Sequence, residues 1–214
     1  SCFLKMKKNV KKIIIDIPPT IFFSEYYLKN LNYKVFGYRN IKNLTKINIT
    51  EIFKNYDVIC IPSWKIDLLS DYKLDIFINI HSFQEMDKEI VSDYFEFINK
   101  TIRVNGIFYC LNKYSKTINN KPIKISEYPF DSYWELLSSQ KGWRNENMHE
   151  IILKRQNYEN SLTKRIIQNL PKENFSIRKT STKLYFKLFI RKILDCFIFF
   201  IPKKILLKLF KMYI

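Results

Sequence analysis

Short apolar runs alternate along the chain with segments whose apolar positions recur at helical spacing. Four such runs are residues 12–16, 57–61, 75–80 and 106–111, and the first of them is continuous and rich in β-branched residues. Continuous apolar runs are typical of strands that are buried on both faces, as in a parallel sheet. Residues 20–31 follow a Pro-Pro pair and show helical spacing. The alternation of strands and helices therefore predicts an α/β fold with a parallel sheet.

Weaker patterns complete this core. Residues 33–38 predict a short edge strand, and residues 50–56 predict one or two helical turns. Residues 112–147 are less periodic and contain Trp134 and Trp143. Residues 148–155 alternate between apolar and polar positions, which predicts a last strand that could run antiparallel to its neighbour. These elements define a predicted core domain over residues 1–155.

The remainder of the chain is of a different kind. Residues 156–182 are polar without periodicity and predict a linker. Residues 183–214 carry stripes of Lys and Arg opposite Leu, Ile and Phe, and Pro202 separates them into two segments. We therefore expect two short amphipathic helices at the C-terminal end. The longest apolar stretch, residues 193–202, is about half the length that a membrane span requires.

Charge is concentrated in the same C-terminal part. The 37 Lys and Arg residues exceed the 20 Asp and Glu residues and give a net charge of +17. Residues 1–150 have a net charge of +5, whereas residues 151–214 have +12. A basic block binds phosphate, either on anionic lipid or on nucleic acid. We expect a peripheral position at an anionic membrane surface, since the tail is amphipathic and no motif for specific nucleic-acid binding is present. A tail helix packed on the protein's own surface, with a solvated basic face, is the alternative.

Cysteine, histidine and glycine usage excludes several types of site. The four cysteines form no C-x-x-C pair, and the two histidines are far apart, so we expect no metal site. The three glycines form neither a G-x-G-x-x-G motif nor a Walker loop. Isolated thiols in apolar settings indicate a reducing compartment, and no signal peptide is evident, so we expect a cytoplasmic protein, with the tail at the inner face of the membrane.

Polar residues follow three of the predicted strands at the point where each strand ends. Asp16 ends the first strand, Ser63 and Trp64 follow the second, and residues 79–85 follow the third. Ligands of doubly wound sheets bind outside the carboxyl ends of the strands. There, a carboxylate can accept hydrogen bonds from both ribose hydroxyls of a nucleoside, and an indole can cover its adenine.

Each of these residues also has a purely structural explanation. Asp16 is a common turn residue, and His81 resembles an ordinary hydrogen-bonded histidine. Ser82 and Glu85 have the spacing of a capping box, which predicts a helix that begins at Ser82.

Several segments together resemble the sugar O-methyltransferase family. They are IIIDIPPTIFFSEYYL, ICIPSW, DIFINIHSFQEM and YFEFI, with EYPFDSYW and HEIILKR further along the chain. This family belongs to the class I S-adenosylmethionine-dependent methyltransferases, and the resemblance covers about residues 3–155. It implies a Rossmann-like sheet with S-adenosylmethionine across the strand ends. It also implies methyl transfer to a saccharide hydroxyl, in the biosynthesis of a surface polysaccharide.

The resemblance implies roles for the strand-end residues. The cofactor-binding positions are Asp16, Ser63, Trp64 and Ser82. Transfer to a hydroxyl is an in-line displacement, which needs alignment and a base. His81 is the first candidate for this base and Glu85 the second, and Gln84 would contact the saccharide.

The chain departs from the family pattern in one respect. The family has a central strand and a Gly-rich turn before the ribose carboxylate, and the corresponding segment would lie N-terminal to Ser1. We therefore expect an incomplete sheet and weak or no cofactor binding, unless a partner chain supplies the strand. The alternative function is a non-catalytic module that binds a membrane surface or a partner through its basic tail.

Overall fold

The computed structural model describes residues 10–118, 121–141 and 147–162. The chain divides into two units, and the larger one, residues 13–177, contains nearly all of the described residues. The predicted division into a core, a linker and a tail stays a prediction. Most of the linker, residues 156–182, and all of the amphipathic tail, residues 183–214, lie outside the described residues.

The described residues form nine strands, four α-helices and three short 3-10 segments. The strands are β1 (Lys12–Asp16), β2 (Val35–Phe36), β3 (Val58–Pro62), β4 (Leu74–Ile80), β5 (Ile102–Lys113), β6 (Ser115–Ile118), β7 (Lys121–Lys124), β8 (Trp134–Lys141) and β9 (Met148–Arg155). The helices are α1 (Thr20–Asn30), α2 (Tyr38–Ile41), α3 (Ile49–Asn55) and α4 (Lys88–Thr101). The 3-10 segments are Ser63–Leu69, Phe83–Glu85 and Ile125–Glu127.

The strands form three sheets. A three-stranded sheet has the order β1-β3-β2, a four-stranded sheet has the order β4-β5-β9-β8, and β6 pairs with β7. β2 runs parallel to β3, and β4 runs parallel to β5, whereas β9 is antiparallel to both β5 and β8. The predicted α/β fold and the predicted antiparallel last strand are confirmed. The four-stranded sheet is mixed rather than purely parallel because β9 runs antiparallel to its two neighbours.

The helix predicted to begin at Ser82 begins six residues later. Residues 83–85 form only a single 3-10 turn, and α4 starts at Lys88 with Asp87 at its N-cap. The predicted capping box is therefore wrong. The hydroxyl of Ser82 instead accepts a hydrogen bond from Asn79 Nδ2 at 2.5 Å. The backbone of Met86, which follows the 3-10 turn, is extended.

Residues 112–147, which are less periodic in sequence, contain β6, β7 and β8. β8 has a register irregularity between Leu136 and Ser138. Trp134 and Leu136 are buried before it, and Ser139 is buried after it. A bulge changes which alternate positions face inward, so it hides the period of two that identifies a strand in sequence.

An aromatic cluster joins α4 to the four-stranded sheet. Phe95 of α4 contacts Phe108 of β5 and Phe130, with ring centroids 5.6 Å and 4.8 Å away. It also contacts Phe83, at 5.7 Å. All four rings are buried. Because Phe83 belongs to the turn that follows β4, this cluster fixes the position of that turn on the sheet.

The outer edge of β4 is open. β4 pairs with β5 on one side, and it ends the sheet among the strands that the structure describes. Ile76 and Ile80 of this strand each remain 39% exposed. An open edge with exposed apolar side chains can accept a further strand.

Candidate functional site

The carboxyl ends of β1 and β3 and the turn after β4 meet at Tyr94 of α4. The Tyr94 ring contacts the ring of Phe83, with centroids 5.5 Å apart. The Tyr94 hydroxyl forms a hydrogen bond with Ser63. Burial, and then the nearby carboxylate of Asp16, raise the pKa of Tyr94, while the bond to Ser63 acts in the opposite direction. Asp16, Ser63 and the turn therefore border one region.

Two of the predicted cofactor-binding residues present suitable groups there. Asp16 ends β1, and its Oδ1 accepts a hydrogen bond from the backbone N–H of Ile17 at 2.8 Å. No described residue hydrogen-bonds its Oδ2. Trp64 follows β3 and is 54% exposed, so its indole offers an aromatic face to a ligand.

His81 occupies an unusual backbone conformation directly after β4. Its φ is 64°, a left-handed value that few residues other than glycine adopt. Its backbone N–H donates to the carbonyl of Leu111 in β5 at 2.9 Å. The residue is exposed, and its imidazole has no hydrogen bond to the described part of the chain. The imidazole is thus available to a ligand at the carboxyl end of β4.

Glu85 is bound more firmly by its neighbours. It forms an ion pair with Lys116 and accepts a hydrogen bond from Gln84 Nε2 at 3.1 Å. The hydrogen bond from Lys116, followed by that from Gln84, lowers the pKa of Glu85. A carboxylate with a lowered pKa is a weak base near neutral pH. Of the two predicted bases, His81 is therefore the better placed.

Ser82 and Gln84 are used inside the protein. The Ser82 hydroxyl is bonded to Asn79, as described above. Gln84 is 5% exposed, and its Oε1 accepts a hydrogen bond from the backbone N–H of Lys113 at 2.7 Å. These contacts hold the turn in place. The predicted contacts of Ser82 with the cofactor and of Gln84 with a saccharide stay predictions.

Sequence reasoning missed Tyr94 of this region, and it missed Asn112 near the end of β5. Tyr94 has helical spacing with Ile90 and Ile98, so it was interpreted as part of an apolar face. Asn112 was assigned no role. A usable signal was present, because Asn79 and Asn112 stand near the ends of two apolar strands that run parallel to each other.

The two cysteines among the described residues provide no nucleophile. Cys60 and Cys110 are both buried. Burial raises the pKa of each thiol to about 12. A thiol in this state is inert at neutral pH, which agrees with the interpretation of these residues as small buried apolar groups.

No protein-family model matches the chain, and a search of curated proteins gives no match. Three solved structures resemble it at low identity. A candidate type 11 methyltransferase from Sulfolobus solfataricus is 16% identical, with a TM-score of 0.36 over 73% of this chain and 89% of that protein. The PH0226 protein from Pyrococcus horikoshii OT3 is 12% identical, with a TM-score of 0.38 over 72% and 86%. A DhpI–SAH complex is 9% identical, with a TM-score of 0.35 over 70% and 79%.

Proposed function

We propose that this chain acts in methyl transfer from S-adenosylmethionine to the hydroxyl of a saccharide. The observation that carries the proposal is the meeting of three strand ends at Tyr94. There, the carboxylate of Asp16 and the hydroxyl of Ser63 lie near the turn that carries His81. Strand ends of this kind are where α/β sheets bind their ligands. The choice of cofactor and of saccharide comes from the family that the sequence segments resemble.

The side chains at the strand ends fit the chemistry of the cofactor. The free Oδ2 of Asp16 can accept hydrogen bonds from ribose hydroxyls, and the exposed indole of Trp64 can stack on adenine. When bound, S-adenosylmethionine supplies a methyl group on a positively charged sulfur. In this proposal Asp16 and Trp64 hold the nucleoside, and Ser63 keeps the hydroxyl of Tyr94 in position beside Asp16.

His81 is the group that removes the proton of the acceptor. A hydroxyl must lose its proton as its oxygen forms a new bond to carbon. The imidazole of His81 is exposed and has no internal partner among the described residues. The negative charge of the Glu85 carboxylate is already compensated by its ion pair with Lys116. His81 therefore accepts the proton, and Glu85 helps to fix the turn.

The proposal extends to the partners of the chain. The acceptor is a saccharide of a surface glycan, and the basic tail, residues 183–214, attracts the chain to anionic lipid at the inner face of the membrane. None of the helices in the described ranges has both the length and the apolar character needed to cross a membrane. The open edge of β4 supports the further suggestion that a strand of a partner chain completes the sheet.

Saturation-transfer NMR with S-adenosylhomocysteine tests the proposed cofactor site. The sequence predicts weak or no binding, and the proposal commits to weak binding by the chain itself. We therefore choose a ligand-observed method, which detects dissociation constants of about 1 mM. The full-length wild-type protein is expected to transfer magnetisation to the adenine and ribose protons. Asp16→Asn should weaken binding about tenfold, since hydrogen bonds to a charged acceptor are roughly twice as strong as neutral ones.

Asp75→Asn is the matched control for this measurement. Asp75 is an exposed carboxylate near the start of β4, where it pairs with Arg103 at 2.6 Å. Its loss should leave ligand binding unchanged. The proposal is contradicted if the wild-type protein shows no transfer, or if Asp16→Asn and Asp75→Asn bind the ligand as well as the wild type does.

A further inference from the structure

A buried amide pair joins the end of β4 to the end of β5. Asn112 is completely buried, and its Nδ2 donates to Oδ1 of Asn79 at 2.8 Å. The same Nδ2 lies 3.1 Å from Sγ of Cys110, its other hydrogen-bond partner. Asn79 is also buried. Burying two amides is costly unless their polar groups are hydrogen-bonded. The hydrogen-bond partners of Asn79 and Asn112 therefore indicate the role of the pair.

The amide pair directs its remaining groups to the turn after β4. Asn79 Oδ1 also accepts a hydrogen bond from the backbone N–H of Phe83 at 3.3 Å, and Asn79 Nδ2 donates to Ser82. Asn112 Oδ1 accepts a hydrogen bond from the backbone N–H of Gln84 at 3.3 Å. Two side chains thus hold three consecutive residues of the turn.

These three residues directly follow the strained residue of the turn. The left-handed conformation of His81 is unfavourable for a residue with a Cβ and persists only where the surroundings fix it. On its N-terminal side β4 pairs with β5, and on its C-terminal side the amide pair holds the next three residues. The direction in which the imidazole leaves the backbone is therefore set by contacts with β5.

We propose that Asn112, acting through Asn79, is a positioning residue that holds His81 at the carboxyl end of β4. The inference rests on the proposed function, in which His81 accepts the proton of the hydroxyl. Asn112 contacts neither the imidazole nor the region at Tyr94 in the described structure. Its role is to fix the turn. Replacing Asn112 should therefore loosen the backbone at His81 without removing the imidazole.

The test combines amide hydrogen exchange with histidine NMR on the full-length protein. Asn112→Leu preserves the approximate volume and removes all three hydrogen bonds of the side chain. We expect the amides of Phe83 and Gln84 to exchange at least tenfold faster. We also expect the ring signals of His81 to shift, because the backbone that carries the imidazole is no longer held in place. The chain has only two histidines, and burial lowers the pKa of His149 to about 4, so the ring of His149 is identified by remaining neutral until the pH approaches that value.

Two comparisons keep the result interpretable. Thr101→Val removes another fully buried polar group, whose hydroxyl donates to the Phe97 carbonyl at 2.7 Å within α4, and should leave His81 unchanged. His149 lies opposite Asn112 in the register of β5 and β9. A merely structural role of Asn112 would therefore alter the signals of His149 and leave those of His81 alone, and this outcome would overturn the proposal.

A second variant covers the possibility that Asn112→Leu does not fold. Asn79→Ser removes the other member of the pair and must give the same faster exchange and the same change at His81. Unchanged exchange of Phe83 in a folded variant overturns the proposal. Neither measurement requires a cofactor. A wild-type protein that fails to bind S-adenosylhomocysteine would therefore contradict the proposed function separately from the positioning role.

Discussion

The four-stranded and the three-stranded sheet differ in the length of their strands and in where burial is concentrated. In the former, β5 has 12 residues, and the first six of the eight residues of β9 are buried. In the latter, β2 has two residues, β3 is completely buried, and every residue of β1 is only partly buried. The proposed base is carried by a turn fixed to the four-stranded sheet. The proposed ribose carboxylate ends the partly buried β1.

The difference has an energetic origin. The aromatic cluster around Phe95 packs on β5 and β8, and each large ring that it removes from water contributes substantially to stability. In the three-stranded sheet only β3 is completely buried. We therefore expect substitutions in the four-stranded sheet to affect global stability, and equivalent substitutions near β1 and β2 to have smaller effects.

The largest expected effect comes from Phe108→Ala in β5. Phe108 is fully buried and contacts Phe95, Phe130 and Trp134, with ring centroids 5.6 to 6.1 Å away. Removing the ring leaves a cavity, so the free energy of unfolding should fall by about 3–5 kcal/mol. Urea unfolding, followed by circular dichroism, measures the change.

Phe36→Ala is the matched substitution in the other sheet. Phe36 lies in β2, is partly buried and contacts Tyr56 at 5.1 Å between ring centroids. We expect a loss of only about 1–2 kcal/mol, in proportion to the smaller apolar area that is buried. Equal losses for the two variants would contradict the expectation that Phe36 of β2 contributes less to stability than Phe108 of β5.

The second-largest expected effect is the pH dependence of stability that arises from His149 in β9. His149 is buried and lies 2.7 Å from the hydroxyl of Ser139 through Nε2, and burial lowers its pKa to about 4. In the unfolded chain its pKa is about 6.5. Between these values the unfolded state binds a proton that the folded state excludes. The free energy of unfolding should therefore fall as the pH falls from about 6.5 to 4, by roughly 3 kcal/mol in total.

Urea unfolding at several pH values, on the wild type and on His149→Gln, isolates this contribution. Carboxylates such as Glu85 titrate in both proteins, so their effect cancels in the difference. The variant should be less stable at pH 7 but should lose less stability on acidification. Parallel curves for the two proteins would show that His149 does not remain neutral in the folded state.

The sequence predicted the elements of both sheets where burial follows a simple pattern. The continuous apolar runs of β3 and β4 identified these strands within one residue or so. For β3 the reason is that a strand covered on both faces needs no polar positions. The two residues of β2 were also within the predicted edge strand, 33–38. Local apolar patterns were sufficient in these cases.

The sequence failed where long-range contacts override local preference. Ser82 has the spacing of a helix cap, but Asn79 engages its hydroxyl, and so the turn precedes the helix. The bulge of β8 hid its alternation. The bond between Tyr94 and Ser63 joins two elements that are far apart in sequence. None of these contacts leaves a local signal, because each depends on how separate segments pack together.

The smallest effect concerns the contact between the two regions. Tyr94 contacts Phe83 on the side of the four-stranded sheet and Ser63 on the side of the three-stranded sheet, near the carboxylate of Asp16. Tyr94→Phe keeps the ring contact and removes the hydroxyl. We expect the free energy of unfolding to fall by only about 1 kcal/mol, the net contribution of one hydrogen bond. Amide exchange around Ser63 should become faster, and S-adenosylhomocysteine binding should weaken.

Tyr109→Phe is the control because it makes the same change within the four-stranded sheet, where the Tyr109 hydroxyl donates to Oε2 of Glu150 at 2.9 Å. It should cost about as much stability as Tyr94→Phe but leave exchange around Ser63 unchanged. If both variants change that exchange equally, the effect of Tyr94 is one of general stability. If only Tyr94→Phe does so, its hydroxyl is what connects the end of the three-stranded sheet to the turn that carries His81.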